Sequence, residues 1–459
     1  MEKLTLMKVM ELSHGCCAEN APLECLVSGV STDSRKLQTG DLFVALKGDR
    51  FNGHDFLEEV VQKGAVAAMV EQDEMSRRVS ALPLVFVDET LAGLQNMACN
   101  YRRTLQVRTV AIAGSNGKTG TKEMVAAVLG THFLVFKNSG NLNNHIGVPI
   151  SLLKLDAAHE VGVFEVGTNH PGELIFLLEM VRPLAGIITT IGEEHLEYFH
   201  DLEGVVKEEG MLAEMLPLEG LLVLNADDPW TPSIACRSKT RVVTFGFSVS
   251  AAYRATDVGV SFSGTRFKLM TPKGERDVAL QLLGRHQVTH ALAATAVGEF
   301  FGLDLDQICR GLEAMAPIKM RMEPKITREG VWIINDAYNA NPDSMRAALE
   351  TMRDLSVKGR RFAILGEMRE LGKVSKSAHW EVGRKAVENG IDVLVVVGEE
   401  ARPMVEGACD AKSRVSRIKF FQNPKQAGEI IRKETSRGDA VLIKASRGVA
   451  LEKVLEGWL

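Results

Sequence analysis

Residues 107–122, VRTVAIAGSNGKTGTK, constrain the fold of this chain more than any other stretch. Residues 107–113 are short, β-branched and mostly apolar, the pattern of a buried strand rather than a helix. GSNGKT follows at 114–119, and TKEMVAAVL at 121–129 has helical composition. Strand, glycine-bearing turn, Lys-Thr and helix in that order make a phosphate-binding loop. Gly114 and Gly117 permit a tight turn whose N–H groups point inward, and the helix start adds its positive dipole end. Lys118 supplies a mobile cation and Thr119 a hydroxyl for Mg²⁺. The expected ATP-binding set is therefore Gly114, Ser115, Asn116, Gly117, Lys118, Thr119 and Gly120. A glycine turn before an ordinary helix is the plainer alternative. The loop is GxxGKT, shorter than the usual GxxxxGKT.

A chain of 459 residues is too long for one ordinary core, so two to four domains are expected. The net charge of −5 is mild, no basic stripe suggests nucleic acid, and no apolar run is long enough to span a bilayer. The start, MEKLTLMKVMELSHG, lacks the apolar core of a secretion signal and reads as an amphipathic helix. Seven cysteines without CxxC spacing argue for reduced thiols in a cytoplasm.

Three units follow from the patterning, giving an α/β fold class. Residues 1–88 mix short strands with turns and form a small α/β unit; within it the polar, glycine-bearing segments 31–35 and 48–54 read as surface loops. Residues 89–316 alternate apolar strands (FLVF, VGVFEVG, AGIITTIG, GLLVLNAD, RVVTFGF) with helices, as a mostly parallel sheet with nucleotide beyond its carboxyl ends requires. Residues 258–283 alternate around Pro272-Lys273-Gly274, a small antiparallel addition, and 288–301 form a helix ending at Gly302. Residues 317–459 make a second open, Rossmann-like α/β sheet from GVWIINDAY, RRFAILGE, DVLVVVGE, IKFFQ and DAVLIKAS. Its helix after Asn341 has that residue as N-cap, Pro342 in the first turn and Met345, Leu349, Met352 and Leu355 as the buried stripe.

Several polar residues stand where central strands should end. Glu165 closes VGVFE, from where a carboxylate reaches a metal on a triphosphate, although a solvated strand-end acid is the bland reading. Glu194 and His195 follow AGIITTIG; an isolated histidine there is as often structural. The asparagine-rich GNLNNHIGVP at 140–149 reads as a ligand loop, whereas Lys207, Glu208 and Glu209 on an expected helix read equally as a wet charged face.

Together, AGSNGKTGTK, GNLNNHIGVP, FEVGTNHPGE, HLEYF, DAYNANPDSM and LGEMRELG resemble the Mur ligase family across essentially the whole chain, including its shortened phosphate loop. The segment TDSRKLQTGDLFVALKGDRFNGHDF is similar to the first domains of the third and fourth ligases, and DAYNANPDSM with TNHPGE to the fourth. That resemblance implies an N-terminal substrate domain (1–88), a central ATP-binding domain (89–316) and a C-terminal ligase domain (317–459). It implies an ATP- and Mg²⁺-dependent ligase joining D-alanyl-D-alanine to UDP-N-acetylmuramoyl-tripeptide through an acyl phosphate, in a cytoplasmic monomer without nucleic-acid or membrane partners. The implied catalytic set is Lys118, Glu165, His195 and Glu209, with Thr119, Glu165, His195 and Glu209 as metal ligands. Gln287, His290, Arg321, Asp336 and Asn339 would complete the ATP site. Substrate residues implied by the family are Ser31, Thr32, Asp33, Ser34, Arg35, Asn52 and His54 toward the uridine end, and Asn141, Asn143 and Asn144 toward the sugar-peptide, with Asn169 and His170 also in the substrate-binding set. Lys444, Ser446 and Arg447 in KASRG would receive the dipeptide.

Three positions depart from the family pattern. Glu209 stands where a carbamylated lysine is usual, which implies a carboxylate supplied without a carbon dioxide adduct. In RHQVTH, Gln287 and His290 replace asparagines, and Gly120 replaces a threonine after the loop, with a less stable first turn expected. A Mur ligase adding the third residue, folylpolyglutamate synthase, a phosphate-loop motor or switch and a non-catalytic nucleotide scaffold remain alternatives.

Overall fold

The computed structural model describes residues 1–19, 21–48, 51–72, 82–411 and 417–458. Among them three main sheets, of five, nine and six strands, follow one another along the chain. The first has the order Cys16–Cys17, Leu84–Val87, Ala67–Glu71, Asp41–Val44, Gly29–Ser31, parallel except at Cys16–Cys17. The helix expected at the start spans Leu6–Ser13, with Thr5 as N-cap and Leu6, Val9 and Leu12 buried. Those residues share one core with Met97 and Tyr101 of the helix Thr90–Thr104 and with Leu177 and Leu178 of the central unit. The first two sheets are thereby fixed to each other.

In the nine-stranded sheet the phosphate-loop strand Arg108–Ala113 lies between Val161–Glu165 and Ala185–Ile188, all parallel. From it the chain runs out to Val135–Lys137 at one edge, returns to Val161–Glu165, then crosses to Ala185–Ile188 on the other side. The loop after Ala113 therefore opens at a topological switch point, where α/β sheets bind ligands. The helix Lys118–Leu129 that continues the loop is pressed between the sheet and the helix Arg285–Phe300, with Val125, Val128 and Leu129 fully buried. Each contributes about 1.5–3 kcal/mol of burial.

The antiparallel segment expected at 258–283 is present and continues the central sheet. Its first strand starts earlier, at Tyr253, where Tyr253 pairs in parallel with Phe245, so Tyr253–Ser261, Gly264–Thr271 and Gly274–Leu280 extend the central sheet. The third sheet has the order Glu323–Ile326, Trp332–Asn335, Ala440–Lys444, Arg361–Gly366, Val393–Val397, Arg417–Phe421, parallel but for its first pair. The edge strand Glu323–Ile326 escaped the sequence reading because Pro324 interrupts it, which an edge tolerates. Val393–Val397 is wholly buried, as a central parallel strand covered on both faces must be. Asn341 and Pro342 open the helix Pro342–Asp354 as expected, and Met345, Leu349, Met352 and Leu355 are buried. Phe262, from the extension, stacks on Trp332 at 4.3 Å between ring centroids and joins the central and third units.

Candidate active site

Gly114 and Gly117 have φ of 110° and 84°, so the loop needs glycine at both positions. Its backbone is held from behind: Gly114 N–H donates to Glu209 Oε2 (2.6 Å) and Ser115 N–H to Thr190 O (2.8 Å), while Ser115 Oγ accepts from Gly192 N–H (2.9 Å). Lys118 folds back over the loop, donating to Gly114 O and Ser115 O, with Glu194 Oε2 3.5 Å away. Burial pushes the Lys118 ammonium down, but Glu194, Glu209 and Glu165 together outweigh it and raise its pKa. The residue is a protonated cation waiting for an anion.

Glu165 ends its strand beside the loop. Thr119 Oγ1 donates to Glu165 Oε2 and Asn143 Nδ2 to Oε1, both at 2.8 Å. Two residues without an assigned role in the sequence reading support it. Asn138 closes both backbone groups of Glu165, accepting from its N–H and donating to its C=O at 2.9 Å each. Lys122, fully buried, donates to Asn138 O (2.7 Å) and lies 3.8 Å from Glu165 Oε2. An asparagine just past a short apolar run was the available signal.

The helix Leu202–Glu209 turns its acids inward, contrary to a wet charged face: Glu208 and Glu209 are 5% and 2% exposed. Glu208 accepts from Gly172 N–H and Leu174 N–H, both 2.8 Å, and so caps the helix Glu173–Val181. Burial, then the nearby Glu194, pushes Glu209 up to about 8. Sequence periodicity could not show this, because both partners lie on other elements.

The third unit reaches across. Arg321 Nη2 donates to Thr119 Oγ1 (3.2 Å) while its guanidinium lies 4.1 Å over Tyr338. Asn341 caps its own helix through Oδ1 and donates from Nδ2 to Asn116 Oδ1 (2.7 Å) in the phosphate loop. His195 Nδ1 and Glu370 Oε2 face each other at 3.5 Å, each on a left-handed backbone (φ 47° and 64°). Beside these contacts an open cleft of about 480 Å³ separates Ile191, Gly192, Glu193 and Leu202 from Pro342, Arg346 and Val382.

Glu370 belongs to LGEMRELG, which His379 pins: Nε2 accepts from Met368 N–H (2.9 Å) and Nδ1–H donates to Ser375 O (2.7 Å). Burial lowers the His379 pKa, so the folded chain keeps the ring neutral while the unfolded chain binds a proton near pH 6.5. This stabilisation is complete above about pH 6.5 and is lost as the pH falls below it. His379→Asn is expected to melt below the parent at pH 7.5, with the gap narrowing at pH 5; thermal melts at both pH values measure it.

Gln287 is 7% exposed; its Nε2 meets His286 Nε2 (3.1 Å), and its Oε1 has no hydrogen-bond partner. His290, expected in the ATP site, lies against the phosphate loop, with Nδ1 3.0 Å from Thr121 Oγ1. It keeps part of its surface open, yet sits deep enough that burial, aided by His286 and Arg321, lowers its pKa to about 3. Asp336 accepts from Met322 N–H and pairs with Lys444 at 2.6 Å, and Lys444 also donates to Asn339 O. Lys444 and Ser446, placed with the dipeptide in the sequence reading, thus knit the third unit's own loops: Ser446 Oγ donates to Ala340 O and accepts from Arg369 N–H. Arg447 pairs with Glu452.

Most of the other expected substrate residues make local hydrogen bonds. Asn144 Oδ1 accepts from Gly147 N–H, and Asn141 is exposed. The backbone N–H groups of Asn169 and His170 donate to Glu173, and the His170 ring lies 4.0 Å from that of Tyr198. Arg35 grips Asp33 bidentately and holds its pKa down to about 2, Ser31 Oγ donates to Asp33 O, and Ser34 O accepts from Lys63; Thr32 is half-buried between them. Asn52 Oδ1 accepts from His54 N–H, and His54 Nε2 accepts from Glu71 N–H. Positions 49 and 50 of this expected loop lie outside the described residues.

Among the described residues no group of three or more His, Cys, Asp and Glu converges as a metal site. The four expected ligands divide: Thr119 and Glu165 touch, Glu209 faces Gly114 and His195 faces Glu370. A hydroxyl beside a carboxylate is an oxygen donor pair suited to Mg²⁺.

The family description "Mur ligase family, catalytic domain" matches residues 26–102, "Mur ligase middle domain" 112–298 and "Mur ligase, glutamate ligase domain" 320–447. The chain is 35% identical to UDP-N-acetylmuramoyl-tripeptide–D-alanyl-D-alanine ligase of Bacillus subtilis (strain 168), over 99% of this chain and 98% of that one. It is likewise 35% identical to the ligase of the same name from Escherichia coli (strain K12), with the same coverage. Among solved structures, a crystal structure of MurF from Acinetobacter baumannii superposes with a TM-score of 0.91 at 29% identity, covering 100% of this chain and 99% of that one. MurF ligase from Thermotoga maritima in complex with ADP gives 0.84 at 27% identity, covering 94% and 97%.

Proposed function

The chain belongs to the Mur ligase family, and we propose that it is the ATP-dependent ligase joining D-alanyl-D-alanine to UDP-N-acetylmuramoyl-tripeptide in peptidoglycan precursor synthesis. The observation that carries this reading is a phosphate loop touched from across the cleft by Arg321 and Asn341, with full-length relatives of that activity behind it.

A carboxylate is a poor electrophile, so the terminal carboxylate of the tripeptide attacks the γ-phosphorus of ATP, and ADP leaves. The amine of D-alanyl-D-alanine then attacks the acyl carbon. Phosphate departs with the former carboxylate oxygen, and the amine sheds its proton. Lys118 and the loop N–H groups bear the charge on the β- and γ-phosphates as it shifts. The unpartnered Gln287 Oε1 is an acceptor fitted to the exocyclic amine of adenine. Thr119 and Glu165 would hold Mg²⁺, which supplies charge neutralisation on the phosphates. Closure of the third unit keeps water from the acyl phosphate. The segments 31–35 and 48–54 would meet the uridine end, and the loop 140–149 the sugar-peptide. We place the reaction in the cytoplasm, carried out by a monomer; no helix among the described residues is long and apolar enough to cross a membrane.

Phosphate release from ATP with UDP-muramoyl-tripeptide tests the acceptor. It should depend on D-alanyl-D-alanine, with single amino acids ineffective. Equal release with a single amino acid, or with no acceptor, would refute the assignment.

A further inference from the structure

We propose that His290 is a positioning residue for the phosphate loop, admitted there because position 120 carries no side chain. The inference rests on the nucleotide reading of the loop given above.

The imidazole fills a notch formed by two glycines. A Cβ built on Gly117 would lie 2.4 Å from His290 Cε1, and one on Gly120 would lie 2.7 Å from His290 Cδ2; neither distance is one that real Cβ atoms show. At Gly120 the three nearest atoms to that Cβ all belong to His290. The two glycines differ in what demands them. Gly117 has φ 84° and would be strained by any side chain, whereas Gly120 lies in the first turn of the helix Lys118–Leu129 and is not among the positive-φ glycines. Glycine in a helix is less favourable than alanine. At position 120 the backbone does not ask for it; the ring does.

The ring also touches what the loop must hold. Nδ1 lies 3.0 Å from Thr121 Oγ1, and the ring packs edge-on against His286, 6.0 Å between centroids. His286 in turn meets the Gln287 amide. One helix face thus connects the loop's two glycines to the unpartnered Gln287 Oε1, and a shift of His290 would move both ends of a bound nucleotide site. Its low pKa keeps the ring neutral throughout the working range, so it acts by shape and a hydrogen bond.

The test is a double-mutant cycle on the full chain with Gly120→Ala, His290→Ala and both together. ADP affinity is measured by calorimetry, with melting temperature and the KM values for ATP and the UDP-linked substrate. His290→Ala should weaken ADP binding and raise KM for ATP about tenfold, leaving KM for the UDP-linked substrate unchanged; one lost positioning contact of about 1.4 kcal/mol has that size. Gly120→Ala should weaken ADP about tenfold and lower the melting temperature in the parent. In the His290→Ala background the same change should cost less than about twofold and raise the melting temperature, because alanine is then simply the better helix residue. Equal effects of Gly120→Ala in both backgrounds, or unchanged ADP affinity in His290→Ala, would overturn the proposal. Should Gly120→Ala not fold, recovery of a folded double variant supports it and continued failure overturns it. Should His290→Ala not fold, His290→Asn takes its place, and failure of both assigns the ring to the core and ends the proposal. Absence of ADP binding in the unsubstituted chain would sink the nucleotide reading instead.

Discussion

Lys118→Met is expected to lower the ligation rate about a thousandfold while leaving the fold in place. The ammonium is held by Gly114 O, Ser115 O and Glu194, and its charge is enforced by Glu194, Glu209 and Glu165. On phosphate binding it has only to turn from these oxygens to the transferring group, so its stabilisation is prearranged. Removing one preorganised charge-stabilising donor costs about 10²–10³ in rate, and removing a full cation from a phosphoryl group reaches the upper end. Methionine keeps most of the aliphatic stem and its packing. Steady-state rates with saturating substrates, beside a melting curve, provide the check. A rate within tenfold of the parent would show that the phosphate charge is carried elsewhere.

Glu209→Ala is expected to cost about a hundredfold in rate, with no dependence of the parent enzyme on bicarbonate. Gly114 N–H donates to this carboxylate at the first residue of the loop, and the group is 2% exposed. Alanine would leave a buried donor unsatisfied at a cost of about 1–3 kcal/mol and free the loop to drift. Because the side chain already carries its own carboxyl group, stripping carbon dioxide from the assay should leave the rate unchanged. Assays in degassed buffer, with and without added bicarbonate, measure this. Bicarbonate-dependent activity, or a fully active Glu209→Ala, would contradict it.

What the sequence disclosed was chiefly local. The loop's glycines, Lys118, the strand ending at Glu165 and the cap at Asn341 each follow from spacing within a single short stretch of chain, and the structure forms the elements that spacing requires. Glu208 and Glu209 were not legible in this way. A charged stretch on a helix says nothing of which face turns inward, and their partners Gly172 and Gly114 lie on distant elements. Lys444 was unreadable for a similar reason: its burial against Asp336 depends on strand order in the third sheet. His290 and Gly120 were visible only as two unrelated oddities, and three-dimensional contact makes them one feature. Glu370 lay within a named motif without a role until the third unit was seen to face His195.

Phosphorylation of the tripeptide carboxylate by ATP is the step on which the whole reaction turns. Labelling that carboxylate with oxygen-18 and analysing the released phosphate by mass spectrometry tests this directly. One labelled oxygen should appear in inorganic phosphate for each peptide bond formed. Phosphate free of label, with that oxygen released to water instead, would contradict the account.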